Sequence, residues 1–478
     1  MTDLDALTPL SARLTPAYLE HYQILPLALH GGRLTAATWA AFDQVDEQAL
    51  DDLRLILGAT DVDLVPGAEP ALRQAIRRTY ATDTTAEGVI AGMTAVASAL
   101  TRGEMAVDDL VSQANEAPVV KLVNLLLLEA LEARASDVHL ESYGAGLRVR
   151  YRIDGVLQDA AAPPAGYAAA LVSRLKIMAD LDIAERRVPQ DGRIALRLQD
   201  RQVDVRVTIV PTLNGESVVL RLLDKARGRM SLADQGMPAD VRAAFERAIA
   251  RPHGIVLATG PTGSGKTTTL YAAIDVIRTG REKILTVEDP VEYELAGVPQ
   301  VPVNEKVGVT FASALRALLR QDPDVVMVGE IRDGETAGIA IQAALTGHLV
   351  LSTLHTNDAA SALTRLVDLG VAPFLLASTV EVVLAQRLVR RLCPACRGKG
   401  CADCRETGYR GRTGLYELLE MTDGLRSALG RGAPSGELAA IASKAGMRTL
   451  RQHGELLVNE GVTSREEVLR VTSESSRH

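Results

Sequence analysis

The stretch Gly260-Pro-Thr-Gly-Ser-Gly-Lys266-Thr267 follows an apolar run, Ile255-Val-Leu-Ala258, and leads into a helical pattern from Thr268 to Ile277. This order of strand, loop and helix commits the region to an α/β sheet with the loop at the carboxyl end of a strand. The spacing predicts a cradle for nucleotide phosphates. Gly260, Pro261, Thr262, Gly263, Ser264 and Gly265 turn successive backbone N–H groups toward phosphate oxygens, and Thr268 continues the cradle into the helix. Lys266 brings a mobile cation to the outer phosphates, and Thr267 offers a hydroxyl to Mg2+. A plain Gly-rich turn explains one glycine, but not three glycines, a Lys and a Thr in fixed register. ATP and GTP fit the loop equally.

At 478 residues the chain exceeds what one core organises, so two to four domains are expected. Residues 1–110 carry 16 Asp+Glu against 7 Lys+Arg, net −9, which leaves 44 against 45, net +1, for the rest. The acidity marks the N-terminal region as a protein-docking module or a solvated surface and argues against a nucleic-acid role for it. Only 3% of residues are aromatic and the net charge is −8, so neither stacking platforms nor a basic track is supplied for nucleic acid. No apolar stretch approaches the ~18–20 residues needed to cross a bilayer, and Met1-Thr-Asp-Leu-Asp5 lacks the basic start of an export signal. The expectation is a cytoplasmic protein whose membrane association is indirect.

Along the chain, residues 1–82 read as a small α/β domain with amphipathic helices at Asp46–Leu55 and Glu69–Tyr80. Residues 83–115, rich in Thr, Ala, Ser, Gly and Asp, read as a linker with one weak helical piece, Ile90–Ala99. Residues 116–224 read as an α+β domain, with helices at Pro118–Ala133 and Leu171–Ala179. Its strands are expected at Asp137–Leu140, Gly146–Tyr151, Arg193–Leu198 and Val203–Ile209. A connection rich in Arg, Gly and Asp, 225–240, suits a hinge. Residues 241–478 alternate strands and helices through Val383 as a doubly wound parallel sheet, then carry a Cys-rich insertion and a helical end.

Further candidates stand at strand ends. Ile284-Leu-Thr-Val287 delivers Glu288-Asp289-Pro290, placed for water or Mg2+, and Val325-Val-Met-Val328 delivers Gly329-Glu330. Most phosphate-loop ATPases hold the metal with an Asp where this chain has Gly329, which leaves Glu330 as the leading residue to polarise an attacking water. His348 and His355 bracket a fourth strand, Leu349–Thr353, and either could sense the outer phosphate. Arg206 and Arg221 belong to the preceding domain and have the planar donors that phosphate oxygens require. Arg316 and Arg320, one helical turn apart, form with Arg332 a further basic cluster able to reach a neighbouring subunit's nucleotide. Cys393, Cys396, Cys401 and Cys404 make two C-x2-C pairs, a set suited to one structural Zn2+.

Taken together, Arg187-Val-Pro-Gln-Asp-Gly-Arg193, the phosphate loop, Leu285-Thr-Val-Glu-Asp-Pro290, Leu319-Arg-Gln-Asp-Pro-Asp-Val325, Val328-Gly-Glu-Ile-Arg-Asp333 and Thr346-Gly-His-Leu-Val-Leu-Ser-Thr-Leu-His355 resemble the secretion ATPase superfamily. The likeness spans about 116–420 and is strongest to the assembly ATPases of type II secretion and type IV pili. It implies a RecA-like ATPase domain preceded by an α+β, PAS-like domain and a small N-terminal domain. It also implies a homohexameric ring that holds nucleotide between the two larger domains. Hydrolysis would drive addition of pilin-like subunits through a polytopic inner-membrane platform protein. The N-terminal domain would dock on the cytoplasmic domain of an inner-membrane assembly protein, leaving the ATPase cytoplasmic and peripheral to that membrane.

The resemblance also implies roles residue by residue. Lys266 and Thr267 serve phosphate and Mg2+, Glu288 and Asp289 form an acidic box, and Glu330 fills the Walker B role. His348 and His355 form a histidine box, and Arg206 and Arg221 contact the outer phosphate of ATP. Arg316, Arg320 and Arg332 look like the family's further arginines, and the four cysteines like the Zn2+ module of assembly ATPases. The loop between the cysteine pairs is shorter here than is usual in type II members. The single acidic N-terminal domain favours a type II secretion ATPase over a pilus extension ATPase. A nucleotide-gated scaffold and a nucleic-acid translocase are the alternatives from other classes.

Overall fold

A computed structural model of the chain describes residues 10, 14, 16–80, 117–144, 146–198, 201–224 and 230–473. The expected linker 83–115, with its helical piece Ile90–Ala99, and residues 225–229 of the expected hinge lie outside the described residues. The chain divides into two compact units, Met1–Leu223 and Asp224–His478.

The first unit contains two sheets. Strands β1 (Ile24–His30), β2 (Arg33–Thr38) and β3 (Asp61–Pro66) form a three-stranded sheet in that order. β1 and β2 pair antiparallel across Gly31-Gly32, both at positive φ, the backbone that a tight two-residue hairpin demands. β2 and β3 are parallel, so the chain crosses over through the helix Glu47–Leu57, capped by Asp46 at one end and by left-handed Gly58 at the other. That helix and Glu69–Tyr80 match the two amphipathic helices expected there, with ends differing by no more than two residues.

The second sheet comprises β4 (Ala135–Tyr143), β5 (Gly146–Ile153), β6 (Val156–Ala160), β7 (Gln190–Leu198), β8 (Arg201–Thr212) and β9 (Gly215–Asp224), ordered β6-β5-β4-β9-β8-β7. Strict alternation sorts its faces. Val203, Val205, Val207 and Ile209 of β8 join Val218, Leu220 and Leu222 of β9 in one buried cluster with the helices Ala117–Glu132 and Ala168–Met178. Arg206 and Arg221 alternate with these residues and therefore stand together on the opposite, polar face. Arg221 is anchored there by Asp137, which accepts from its Nε at 3.0 Å.

In the second unit, β10 (Gly254–Thr259), β11 (Ile284–Glu288), β12 (Gln300–Pro302), β13 (Val325–Val328), β14 (Leu349–Leu354), β15 (Val380–Leu392) and β16 (Tyr409–Glu420) form one sheet ordered β12-β11-β13-β14-β10-β15-β16. All pairings are parallel except β15 with β16. Burial on both faces explains the unbroken apolar run of β13 and the largely apolar reading of β10 and β14. Ile255 and Leu257 pack into one core, Val256 and Ala258 into the other. The parallel order brings the carboxyl ends of β10, β11, β13 and β14 side by side, where a doubly wound sheet opens a ligand crevice.

The C-terminal helices are fastened by buried polar groups with a measurable pH signature. His453, 3% exposed, accepts the Tyr416 N–H at Nδ1 (2.9 Å), and burial pushes its pKa down to about 4. Glu467 is as buried, but Arg470 and Arg390 outweigh the desolvation that would raise its carboxyl and hold it at about 2. As pH falls from 6.5 to about 4, the unfolded chain takes up the His453 proton before the folded one, and roughly 3 kcal/mol of stability is lost. The Glu467 contribution survives this range and is lost only as pH falls from about 4.5 toward about 2. Thermal unfolding of His453→Gln should therefore be less steep in pH between 6.5 and 4 than that of the unsubstituted protein and keep the fall below pH 4.5 that Glu467 contributes.

Candidate active site

The phosphate loop bridges β10 and the helix Lys266–Ile277, whose N-cap residue is left-handed Gly265 with no side-chain cap. The first-turn N–H groups are thus left for a ligand anion, with the positive end of the helix dipole behind them. Gly260, at φ +150°, is required by crowding: a Cβ there would lie 2.4 Å from the Gln386 carbonyl and 2.6 Å from Ser264 Oγ. Ser264 Oγ is buried with no hydrogen-bond partner, an open donor within the cradle. Lys266 is 8% exposed and donates from Nζ to the carbonyls of Gly260 (2.7 Å) and Pro261 (3.1 Å). Burial lowers its pKa to about 8, against the Glu330 charge and with the help of Arg387.

Facing the loop, residues at the ends of three strands form one charged chain. Glu330, after β13, binds Arg332 Nη2 at 2.5 Å and His355 Nε2 at 3.2 Å, and Arg332 reaches Asp289 at 3.7 Å. Burial would raise the Glu330 carboxyl, but the Arg332 and His355 contacts win and hold it below the ordinary range. It is ionised at neutral pH. Burial and the Lys266 charge lower the His355 pKa despite Glu330, so its ring is neutral at neutral pH. Gly329 leaves little room for an acid in its slot: a Cβ would sit 3.3 Å from the Glu288 Cα and the Val287 carbonyl. The arrangement offers a phosphate cradle, a cation, an ionised carboxylate able to orient water, and an uncharged imidazole.

Other expected residues are placed elsewhere. Glu288 is 2% exposed and accepts hydrogen bonds from Tyr271, Thr286 (2.6 Å) and Gln300 (3.0 Å). The pleat turns it toward the helix Lys266–Ile277, so it fastens that helix to β11 and β12, and Asp289 alone reaches the charged chain. His348 precedes β14; its carbonyl accepts from Gly254, the first residue of β10, and its ring contacts Ala343 and Thr346. Six strand residues at ~3.3 Å each place it about 20 Å from His355, at the opposite sheet edge. Arg316 pairs with Glu335 at 2.5 Å and Arg320 donates to the Arg316 carbonyl, both on an exposed surface. Arg206 and Arg221 belong to the other unit.

Several residues around the loop carried no motif. Gln386 and Arg387 on β15 pack against it, Asn357 binds Arg387, and Gln235 and Gln386 both bind Thr269 of the loop helix (2.7 and 2.9 Å). The adjacent polar residues Gln386 and Arg387, inside the otherwise apolar stretch Val382–Val389, were the available signal.

The cysteines converge at the tip of the β15–β16 hairpin. Their four sulfurs lie within 4.8 Å of one another, with separations of 3.7 to 3.9 Å among three neighbouring pairs. Tetrahedral Zn2+ with Zn–S of about 2.3 Å requires sulfurs about 3.8 Å apart, so all four suit one ion despite the short spacer. Cys404 Sγ accepts backbone N–H groups from Cys401 and Gly408, both at 3.2 Å, a setting that favours thiolate. Arg397 and Arg405 each follow the second cysteine of a pair in left-handed backbone, giving two similar knuckles.

A parallel sheet with this loop, an ionised acid after its third strand and a neutral histidine after its fourth defines a phosphate-loop ATPase. Residues 112–470 match the family described as Type II/IV secretion system protein, and residues 2–86 match the MshEN domain. The Type II secretion system protein HxcR of Pseudomonas aeruginosa is 56% identical over 377 residues, covering 77% of this chain and 80% of its own. The Type IV pilus assembly ATPase PilB of Myxococcus xanthus is 44% identical over 480 residues, covering 94% of this chain and 84% of its own. The crystal structure of the pilus retraction motor PilT with bound ADP superposes with a TM-score of 0.53 at 29% identity, covering 73% of this chain and 96% of that one. This chain belongs to the type II/IV secretion system protein family and is one of its ATPases. Among the described residues no helix is long and apolar enough to cross a membrane.

Proposed function

We propose that this chain hydrolyses ATP, with Mg2+ held at Thr267, to power pseudopilus assembly in type II protein secretion. The observation that carries the chemistry is the ionised Glu330, held between Arg332 and His355 and close enough to Lys266 for its charge to raise that amine's pKa. In this reading Glu330 orients the attacking water, Lys266 neutralises the outer phosphates and His355 hydrogen-bonds the terminal one. Arg206 and Arg221 are assigned to the outer phosphate and Arg316, Arg320 and Arg332 to charge balance around a ring of six copies. Two charge-assisted contacts of ~1.5–3 kcal/mol each are enough to bias the orientation of a domain. The N-terminal domain, 1–82, docks on the cytoplasmic part of an inner-membrane assembly protein, and a polytopic platform protein receives the work. The ATPase acts on the cytoplasmic side of the inner membrane through these partners, with Zn2+ at the four cysteines.

Identity of 56% over 377 residues to HxcR, against 44% over a longer stretch of 480 residues to PilB, supports secretion over pilus extension together with the acidic N-terminal region. Deletion of the gene should abolish export of secreted enzymes and leave twitching motility intact. Loss of twitching with normal export would assign the chain to a pilus instead.

A further inference from the structure

Arg387 lies on β15, 6% exposed, and is packed against the first glycine of the phosphate loop. Its Nη2 donates to the Asn357 side chain at 3.0 Å and to the Asn357 carbonyl at 3.2 Å. Its Nη1 stands 3.2 Å from the point where Gly260 would carry a Cβ, and the carbonyl of neighbouring Gln386 is 2.4 Å from that point. The Gln386 amide is 2.7 Å from the corresponding point on Gly265. The pair Gln386-Arg387 thus closes against the glycines at both ends of the loop.

Asn357 is two residues beyond His355, the histidine on Glu330. Thr356, between them, contacts the Thr259 hydroxyl at 2.7 Å at the end of β10. One short segment after β14 therefore touches Glu330 through His355, the end of β10 before the phosphate loop through Thr356, and the guanidinium packed against that loop through Asn357.

We propose that Arg387, held by Asn357, is a positioning residue of the hydrolysis reaction: it braces the phosphate loop at Gly260 and ties that loop to the segment carrying His355. The inference rests on the reading of Lys266 as the outer-phosphate cation. The charged groups bearing on Lys266 are Glu330 after β13 and Arg387 on β15, with the neutral His355 ring after β14. Glu330 favours the ammonium form and Arg387 opposes it. Removing the Arg387 charge should move the alkaline limb of nucleotide affinity to higher pH, whereas a purely structural loss weakens affinity equally at every pH.

The test is MgATP binding and steady-state hydrolysis by the full chain from pH 6 to 10, for Arg387→Gln, Arg387→Lys, Asn357→Ala and Lys266→Ala. Arg387→Gln should raise KM on the order of ten- to a hundredfold, the worth of one charge-assisted hydrogen bond, and shift the alkaline limb upward. Arg387→Lys should restore the position of the limb. Asn357→Ala, at an exposed site, should fold normally and raise KM severalfold, with no further loss when added to Arg387→Gln. If Arg387→Gln does not fold, Asn357→Ala decides: an unchanged KM overturns the proposal. Unchanged KM and limb in a folded Arg387→Gln also overturn it, provided Lys266→Ala is inactive. Hydrolysis by Lys266→Ala would refute the reading of Lys266 itself.

Discussion

Glu330→Gln should bind MgATP with an affinity close to that of the unsubstituted protein and hydrolyse it at least a hundredfold more slowly. The substitution keeps the side chain's length and one acceptor oxygen in place of the two that meet Arg332 and His355, and the neutral His355 ring can accept from the new amide in its other tautomer, so the shape of the crevice persists. It removes the negative charge that orients and polarises water, a contribution typically of 10²–10⁴ in rate. The same change releases Arg332 and His355 from a carboxylate that is mostly shielded from water, at 16% side-chain exposure. Fluorescent nucleotide binding and phosphate release on one preparation separate the two effects. Normal turnover in Glu330→Gln would remove this acid from the chemistry and leave Asp289 as the remaining acid of the charged chain.

The second large effect concerns the hairpin tip. Four sulfurs converge there within 4.8 Å of one another, and in the proposed reading one Zn2+ bound by all four would hold the two knuckles together. Structural Zn2+ contributes an apparent ~10–16 kcal/mol in isolated zinc-finger peptides at neutral pH, far more than one hydrogen bond or ion pair. The purified chain should contain one Zn2+ per polypeptide, and Cys404→Ser should release it and unfold the tip. β15 runs from Gln386-Arg387 at the phosphate loop to Leu392 beside Cys393, so hydrolysis should fall along with thermal stability. Metal analysis, thermal unfolding and ATPase rate report on the three links separately. A metal-free protein with unchanged unfolding temperature would show that the knuckles hold without an ion.

How far the sequence could be read follows from how local each signal was. The loop Gly260–Thr267, the acids ending β11 and β13, and the cysteine pairs were visible because each role depends on residues adjacent in the chain. The direction of Glu288 was not, since its hydrogen bonds come from Tyr271 and Gln300, 17 residues before and 12 after. His348 looked equivalent to His355 because both flank one strand, yet in a parallel sheet only one end of that strand meets the ligand crevice. The expected α/β alternation stopped at Val383, whereas β15 continues to Leu392 and returns as β16 through the cysteine module. An apolar run interrupted by Gln386 and Arg387 has no clear period. Its meaning comes from packing against glycines more than 120 residues away.

In the proposed function, Lys266 and the loop that carries it are the place where ATP is broken. The most direct measurement is phosphate release from MgATP by the purified full-length chain, alongside Lys266→Ala at equal concentration. Sustained turnover by the first and none above background by the second is the predicted result. Equal rates in the two proteins, or no turnover in either, would contradict it.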